Sequence, residues 1–228
     1  MVPEALCSRP EDSGPLALHL FEHLARLGAV QTVAQRAVHV AEAQKQDLLH
    51  HLLDTEAVQK MIVFSRTKYR ADRIRKKLDR AGFDAIAIHS NRSQGQRQRA
   101  LKGFEQGQYQ ILVATDIAAR GIDIDGISHV INFDTPNIPE DYIHRIGRTG
   151  RADSTGDAIS FVNAVERDHL RCIERNIGKP IEEATFEGFA KPTMADALTT
   201  AKKRSNPKGH RNRSKAPQHN RRNSGSGG

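Results

Sequence analysis

The sequence contains no tryptophan, only two cysteines and few aromatic residues, which make up 5% of its 228 residues. Cys7 and Cys172 lie far apart, and neither belongs to a Cys-x-x-Cys pair or to a cluster with the spacing of zinc ligands. This usage predicts free thiols in a reducing compartment and no metal centre. No apolar run approaches the roughly 20 residues that cross a bilayer, and the first residues lack the basic start and apolar stretch of a signal peptide. We therefore expect a cytoplasmic protein with no membrane partner.

Acidic residues are missing from the last part of the chain. Positions 197–228 contain none, against nine basic residues, whereas positions 1–196 carry 26 basic and 27 acidic residues. The net charge of +8 is therefore an excess located in this basic tail. Because apolar residues are almost absent after position 200, the tail cannot bury a core and is predicted to be disordered. It offers an electrostatic attachment point for nucleic acid, or alternatively a solvated end that keeps the protein in solution.

Short apolar runs alternate with longer amphipathic ones from Arg36 onward, and they predict six strands and five helices. The predicted strands are Arg36–Val40, Lys60–Phe64, Asp84–Ile88, Ile111–Ala114, His129–Asn132 and Ala158–Val162. The predicted helices are Lys45–Leu53, Lys68–Ala81, Ser93–Gln106, Glu140–Ile146 and Glu166–Asn176. This alternation is typical of an α/β fold, with a mostly parallel sheet and helices on both faces.

The pattern divides the chain into three segments. A partly helical N-terminal extension covers 1–32, a single α/β domain covers 33–181, and a linker with the basic tail covers 182–228. In an open parallel sheet, ligands bind beyond the carboxyl ends of the strands. The residues that follow Phe64, Ile88, Ala114 and Asn132 are therefore the candidates for chemistry.

Hydroxyl, amide and guanidinium groups follow all four strand ends, and these groups suit phosphate. After Asn132 comes the arginine run His144-Arg145-Ile146-Gly147-Arg148-Thr149-Gly150-Arg151, with an arginine at every third position. A guanidinium group stays charged and grips phosphate oxygens in pairs. The two glycines let the backbone turn and bring the arginines to one place. A solvated basic surface is the alternative, but three other polar strand ends precede the run, so we predict a phosphate-binding edge.

Four segments resemble, in order and spacing, the motifs of the second RecA-like domain of DEAD-box RNA helicases, a branch of superfamily 2. They are Ile62-Val63-Phe64-Ser65, Gln94 with Arg97, Thr115-Asp116 with 119–123, and the arginine run 144–151. The resemblance extends from about Val33 to Ile181, and the four motifs together are highly specific. One departure is Ser90, which stands where the family often has glycine.

The resemblance implies roles for the matching residues. Arg148 and Arg151 would be arginine fingers that reach the γ-phosphate of ATP, which a first RecA-like lobe would hold together with Mg²⁺. The nucleotide would also contact Asp123 and Gly121. Phe64, His144 and Arg145 would position the run and couple the nucleotide to the RNA. The residues implied to contact the sugar-phosphate backbone of RNA are Arg66, Ser90, Asn91, Arg97, Thr115 and Gly121.

Plainer roles remain open for three of these residues. Phe64 is equally compatible with an ordinary core position, and His144 with an ordinary buried histidine. Arg97 either braces the 89–97 loop or touches RNA.

Two motifs of a complete helicase do not occur in the sequence: a GxxxxGK[ST] phosphate loop and an Asp-Glu-Ala-Asp box. Roughly 30 residues precede the resemblance, so we expect half of an active site and no activity from the chain alone. One hypothesis is the second motor lobe of an ATP-dependent RNA helicase, as a fragment or a split half, completed by a first lobe in cis or in trans. The other is a stand-alone RNA-binding module without turnover. A DNA helicase lobe is a third possibility, which residues 139–143 disfavour.

Overall fold

The computed structural model describes residues 32–119, 122, 124–150 and 156–189. Within them lie seven strands and six helices. The strands are β1 (Val33–His39), β2 (Met61–Phe64), β3 (Ala85–Ile88), β4 (Ile111–Ala114), β5 (His129–Asn132), β6 (Gly156–Val162) and β7 (Glu182–Ala184). The helices are α1 (Lys45–Thr55), α2 (Lys68–Arg80), α3 (Gln94–Glu105), α4 (Asp116–Ala119), α5 (Pro139–Ile146) and α6 (Arg167–Ile177).

All seven strands form one sheet in the order β3-β4-β2-β5-β6-β1-β7, and every neighbouring pair runs parallel. The register aligns the carboxyl ends of the central strands. Phe64 at the end of β2 lies opposite Ala114 of β4 and Asn132 of β5. Ile88 of β3 also lies opposite Ala114. The segments that follow these four strands therefore leave the sheet along one edge, as the sequence predicts.

Two hydrophobic cores cover the two faces of the sheet. Along β2, Ile62 and Phe64 point into one core, and Met61 and Val63 point into the other. Helices α3, α5 and α6 pack on the first face, while α1 and α2 pack on the second. Burial on both sides favours apolar residues along a whole strand, and β2 and β4 are wholly apolar for this reason.

Two elements go beyond the sequence prediction. Helix α4 is a single turn, in which the amides of Ala118 and Ala119 both donate to the carbonyl oxygen of Thr115. Strand β7 pairs with β1 at the far edge of the sheet, although Glu182 and Glu183 are exposed. The six predicted strands and five predicted helices are present, with ends shifted by up to three residues. The largest shift is at β1, which begins at Val33 because it pairs there with the start of β6.

The prediction of a free thiol is wrong for Cys172, which is disulfide-bonded. The cytoplasmic location, which rested partly on free thiols, stays a prediction. The predicted segments 1–32 and 182–228 lie mostly outside the described residues, and their boundaries also stay predictions. Among the described helices, none has both the length and the apolar character needed to cross a membrane.

Candidate functional site

Hydrogen bonds tie together the segments that follow the strand ends. Lys68, just after β2, donates from Nζ to Oδ1 of Asn91, just after β3, over 2.8 Å. Arg97 of α3 donates from Nη2 to the carbonyl oxygen of Ala118, just after β4, over 3.2 Å. The carboxyl edge of the sheet is therefore one continuous surface, to which all four predicted segments contribute.

The central arginine of the edge is Arg145, whose guanidinium group is almost fully buried. Its Nε and Nη2 donate to the two carboxylate oxygens of Asp116 over 2.6 and 2.9 Å. Its Nη1 donates to Oδ1 of Asn132 over 3.0 Å and to the carbonyl oxygen of Asp134 over 2.8 Å. The guanidinium carbon lies 5.0 Å from the centre of the Phe64 ring. Arg145 therefore directs its donors to the protein, and it fastens α5 to β2, α4 and β5.

Arg148 lies at the end of α5 and is less buried than Arg145. Its Nη1 donates to the carbonyl oxygen of Ile122 over 2.5 Å, and its Nε donates to the carbonyl oxygen of His144 over 3.3 Å. Both acceptors are neutral, and His144 itself is exposed. A negatively charged oxygen would form a stronger bond with Arg148 than either carbonyl does.

A pocket of about 170 Å³ opens between these groups. It is lined by Phe64, Asp116, Ala119, Asp141, His144, Arg145 and Arg148. Pockets that enclose a whole small ligand have volumes of roughly 300 Å³ or more. The pocket is therefore too small for an entire nucleotide and has the size of a phosphoryl group, with Arg148 as the arginine that can serve it and with Asp116 and Asp141 also in its lining.

The sequence of α5 explains why the helix forms at this place. Pro139 occupies its first turn, where a missing N–H costs nothing, and Glu140 and Asp141 follow in the same turn. His144 and Arg145 lie in the last turn. Acidic residues at the start and basic residues at the end both complement the helix dipole.

Beyond α5, the arginine run is anchored to the segment between β4 and β5. The hydroxyl of Thr149 donates to the carbonyl oxygen of Ile127, and Thr149 is buried. Gly150 has a φ of +69°, which a side chain would oppose. The run therefore leaves α5 along a fixed path, past the segment that contains Ile122.

The residues predicted to contact RNA lie at the same edge. Arg66 donates from Nη2 to the carbonyl oxygen of Thr135 over 3.3 Å and to Oε1 of Glu166 over 3.2 Å, and its side chain is 37% exposed. Thr115 is half-buried, and Ser90 and Asn91 are exposed. Arg97 braces α3 against α4 through the bond to Ala118, and it is half-buried.

The turn that holds Ser90 and Asn91 is shaped by a buried histidine. His89 Nε2 lies 3.1 Å from Oδ1 of Asp72, and Arg92 donates to the same oxygen over 3.0 Å. Burial alone would raise the pKa of Asp72, but the bond with His89 and the charges of His89, Arg92 and Arg75 outweigh it and lower the pKa. The carboxylate therefore stays charged and fixes the turn to α2.

A buried ion network lies beneath the edge, and the sequence does not predict it. Lys45 is completely buried, and its Nζ donates to Oε2 of Glu166 over 2.6 Å and to the carbonyl oxygen of Phe133 over 2.8 Å. Arg70 pairs with Asp134 over 2.6 Å and also with Glu42. The network joins the segments that follow β1, β2, β5 and β6. No local pattern marks Glu166 or Asp134, because their partners are distant in sequence.

Three residues of the predicted site, Gly121, Asp123 and Arg151, lie outside the described residues. Within the part of the chain that the structure describes, no group of three or more His, Cys, Asp or Glu side chains is placed to hold a metal ion. The described residues therefore offer arginine and polar donors for phosphate, and no carboxylate cluster suited to Mg²⁺.

Comparison with known proteins agrees with this geometry. Residues 44–153 match the model of the helicase conserved C-terminal domain. The DEAD-box ATP-dependent RNA helicase CshA of Bacillus licheniformis is 43% identical over 169 residues, which is 74% of this chain and 34% of the relative. The chain thus spans about a third of the length of the curated relatives it matches.

Two solved structures cover nearly the same unit. The E. coli DEAD-box protein SrmB, solved bound to regulator of ribonuclease activity A, matches with a TM-score of 0.67 and 37% identity over 71% of this chain and 98% of that one. The C-terminal domain of the DEAD-box protein Dbp5 matches with a TM-score of 0.64 and 31% identity over 76% of this chain and 99% of its own. The chain therefore belongs to the helicase C-terminal domain family of the DEAD-box RNA helicases and has the RecA-like fold of that domain.

Proposed function

We propose that the chain is the second motor lobe of an ATP-dependent RNA helicase and that Arg148 supplies an arginine finger. The observation that carries the proposal is that Arg145 and Arg148 differ in position and in hydrogen-bond partners. Arg145 donates four hydrogen bonds to Asp116, Asn132 and Asp134 and holds α5 in place. Arg148, one turn later, lines a phosphate-sized pocket, and the carbonyl oxygens of Ile122 and His144 are among its hydrogen-bond acceptors.

In this proposal the chain contributes half of a nucleotide site. Arg148 leaves the carbonyl of Ile122 and donates instead to the γ-phosphate of ATP, where it stabilises the charge that develops during phosphoryl transfer. Arg151, Asp123 and Gly121 are assigned to the nucleotide by resemblance to the family. Bound ATP with Mg²⁺ supplies the phosphoryl group and its charge neutralisation, and a first RecA-like lobe, in cis or in trans, would hold both.

RNA is the proposed polymer, and its sugar-phosphate backbone is the part recognised. Arg66, Asn91 and Thr115 lie on the shared edge and offer a guanidinium group, an amide and a hydroxyl, as Ser90 and Arg97 do beside them. Backbone contacts carry no base information, so binding is expected to be largely independent of sequence. We place this RNA binding in the cytoplasm as part of the proposal.

Reconstitution of ATP hydrolysis tests the proposal. The purified chain alone is expected to show no RNA-stimulated hydrolysis, and addition of a DEAD-box first lobe in excess is expected to produce some. Arg148→Ala should reduce the reconstituted rate by roughly 10³-fold or more, the scale of arginine fingers in other NTPases. Hydrolysis by the chain alone, or full activity of Arg148→Ala with the first lobe, would contradict the half-site.

The second candidate, an RNA-binding module without turnover, is favoured by the basic tail at 197–228. It predicts RNA binding that weakens with salt, combined with no hydrolysis when the first lobe is added. The reconstitution experiment therefore separates the two candidates.

A further inference from the structure

A polar groove lies outside the site described above. It follows the lateral edge of the sheet, where β3 is the last strand in the strand order. Strand β3 is the edge strand, and in the described chain it pairs only with β4. Helix α2 lies on one side of β3 and α3 on the other, and an open groove of about 670 Å³ runs between them. The polar side chains that line this β3-edge groove include Arg75, Arg92, Gln96, Arg99 and Lys102, and Ile86, Ala87 and Ala100 also contribute to the lining.

The two helices that form the groove are strongly basic. Helix α2 carries seven basic and two acidic residues, and α3 carries three basic and one acidic residue. Positions 1–196 as a whole are nearly neutral, with 26 basic and 27 acidic residues. The positive charge of the folded domain is therefore concentrated at this end of the sheet, while the opposite edge strand, β7, carries Glu182 and Glu183.

The cations of the groove differ in how the protein holds them. Arg75 pairs with Asp79, and Arg92 pairs with Asp72. Arg99 donates to a neutral backbone carbonyl, and within the described residues no carboxylate pairs with Arg99 or Lys102. Both side chains are exposed, and they lie three residues apart on one face of α3. They are therefore available to an anionic ligand.

The groove is continuous with the carboxyl edge of the sheet, which is the surface proposed to bind RNA. Arg92 follows the exposed turn of Ser90 and Asn91 by one residue, and its side chain already lines the groove. From there the groove follows α3 from Gln96 to Lys102, a rise of about 9 Å along the helix axis. A strand that leaves the turn on this side meets Arg92 first, then Arg99, then Lys102.

We propose that the β3-edge groove binds phosphates of single-stranded RNA that flanks the segment held at the strand ends, an inference that rests on the proposed RNA-binding function. The lining favours RNA over an acidic protein segment. Stable protein interfaces have an apolar, aromatic centre, whereas seven of the twelve residues that line this groove are arginine, lysine or glutamine, and Tyr109 is the one aromatic residue among them. A path of arginine and lysine side chains beside polar groups is the arrangement that tracks a nucleic-acid backbone.

Binding of uridine oligonucleotides to the full chain, followed by fluorescence anisotropy, tests the proposal. A hexanucleotide is short enough to occupy the strand ends, and a dodecanucleotide extends beyond them. Arg99→Ala/Lys102→Ala should weaken binding of the dodecanucleotide by roughly tenfold and binding of the hexanucleotide by less than about twofold. Because the variant neutralises two phosphates fewer, the slope of log Kd against log salt should also fall by about 1.4 for the longer RNA.

A matched control removes the same charge at the opposite end of the sheet. Arg171→Ala/Lys179→Ala changes two exposed positions and should leave the length dependence as in the wild type. Thermal unfolding midpoints of both variants should equal that of the wild type, because all four positions are exposed.

The outcomes separate the groove from the proposed function. If the wild type binds neither RNA, both proposals fail. If it binds both RNAs and the groove variant is indistinguishable from the control, the groove proposal fails and the proposed function stands. If the groove variant loses affinity for a poly-glutamate peptide but not for the dodecanucleotide, the groove is a docking site for an acidic protein segment, and the inference is overturned.

Discussion

The guanidinium group of Arg145 is buried, and a fixed set of hydrogen-bond and ion-pair partners stabilises its charge inside the protein. Replacement by methionine keeps the length of the side chain but leaves Asp116 without its cation. Removing one member of a buried pair costs about 3–5 kcal/mol, and because the Asp116 side chain is 30% exposed we expect a decrease in stability of about 2–3 kcal/mol. Arg148→Met, at a half-buried position, should cost less, about 1 kcal/mol.

Urea unfolding followed by circular dichroism measures both variants, since the chain has no tryptophan to report on folding. Equal decreases in the free energy of unfolding for Arg145→Met and Arg148→Met would show that the two arginines do not differ in structural role.

Gly156, the first residue of β6, is required by the arginine run. A Cβ atom at this position would lie 2.5 Å from the amide nitrogen of Gly150 and closer still to Thr149 Oγ1. Gly156→Ala should therefore destabilise the protein by about 1–3 kcal/mol. Gly95→Ala is the matched control, because a Cβ there meets nothing within 4 Å and alanine should stabilise α3 by about 0.5–1 kcal/mol. A neutral Gly156→Ala variant in urea unfolding would mean that the run does not pack on β6.

The ion network connects four elements beneath the functional edge, and Lys45 with Glu166 is its buried centre. Lys45→Met should lower the free energy of unfolding by about 3 kcal/mol, because Glu166 then keeps a buried charge with one cation fewer. Lys45→Met/Glu166→Gln removes both charges and should recover part of that decrease. Chemical denaturation of Lys45→Met, of Glu166→Gln and of the double variant gives the coupling free energy between the two residues. A coupling near zero would mean that the pair does not act as a unit.

His129 on β5 makes the stability of the sheet depend on pH. Burial lowers the pKa of His129, the charges of Asp157 and Glu56 act in the opposite direction, and Arg36 lowers it again. A lowered pKa means that the unfolded chain binds the proton more readily than the folded one. Stability is therefore complete above the unfolded pKa of about 6.5 and falls as the pH drops towards 5.

The His129→Gln variant isolates this contribution. Its free energy of unfolding should fall less between about pH 7 and pH 5 than that of the wild type. Because His129 starts β5, at the end of the sheet away from the functional edge, RNA binding at neutral pH should not change. Parallel pH profiles of the two proteins would exclude a role for His129.

At the scale of the elements, the sequence predicts the buried strands and helices better than the exposed ones. Strands β2 and β4 are predictable because each is a run of four apolar residues, the pattern that burial on both faces favours. Helix α4 is one turn long, too short to show a helical period. Strand β7 is held by backbone pairing with β1, so its glutamates carry no strand signal. The ion pair of Lys45 with Glu166 joins residues 121 positions apart. It depends on the order of the strands in the sheet, which a local sequence pattern does not predict.

For the whole molecule, the basic tail adds charge that the folded domain lacks. Removal of residues 197–228 should lower the affinity for RNA and flatten its salt dependence, by about 0.7 in log Kd per log salt for each phosphate that the tail neutralises. Salt titrations of the full chain and of the chain ending at Asp196 make the comparison. Identical curves would show that the tail serves solubility alone.

The strand order has a consequence for how the protein is made. Of the described strands, β1 is translated first, yet its neighbours in the sheet are β6 and β7, which are translated last. The ion pair between Arg36 of β1 and Asp157 of β6 closes a loop of 121 residues. At synthesis rates of about 5–20 residues per second, β1 waits roughly 6–24 s for its partner. Among the described strands, the first to be synthesised thus joins the sheet only after β6 has been made, and β7 joins after it. During that interval the apolar side chains of β1 depend on α1 or on chaperones for cover.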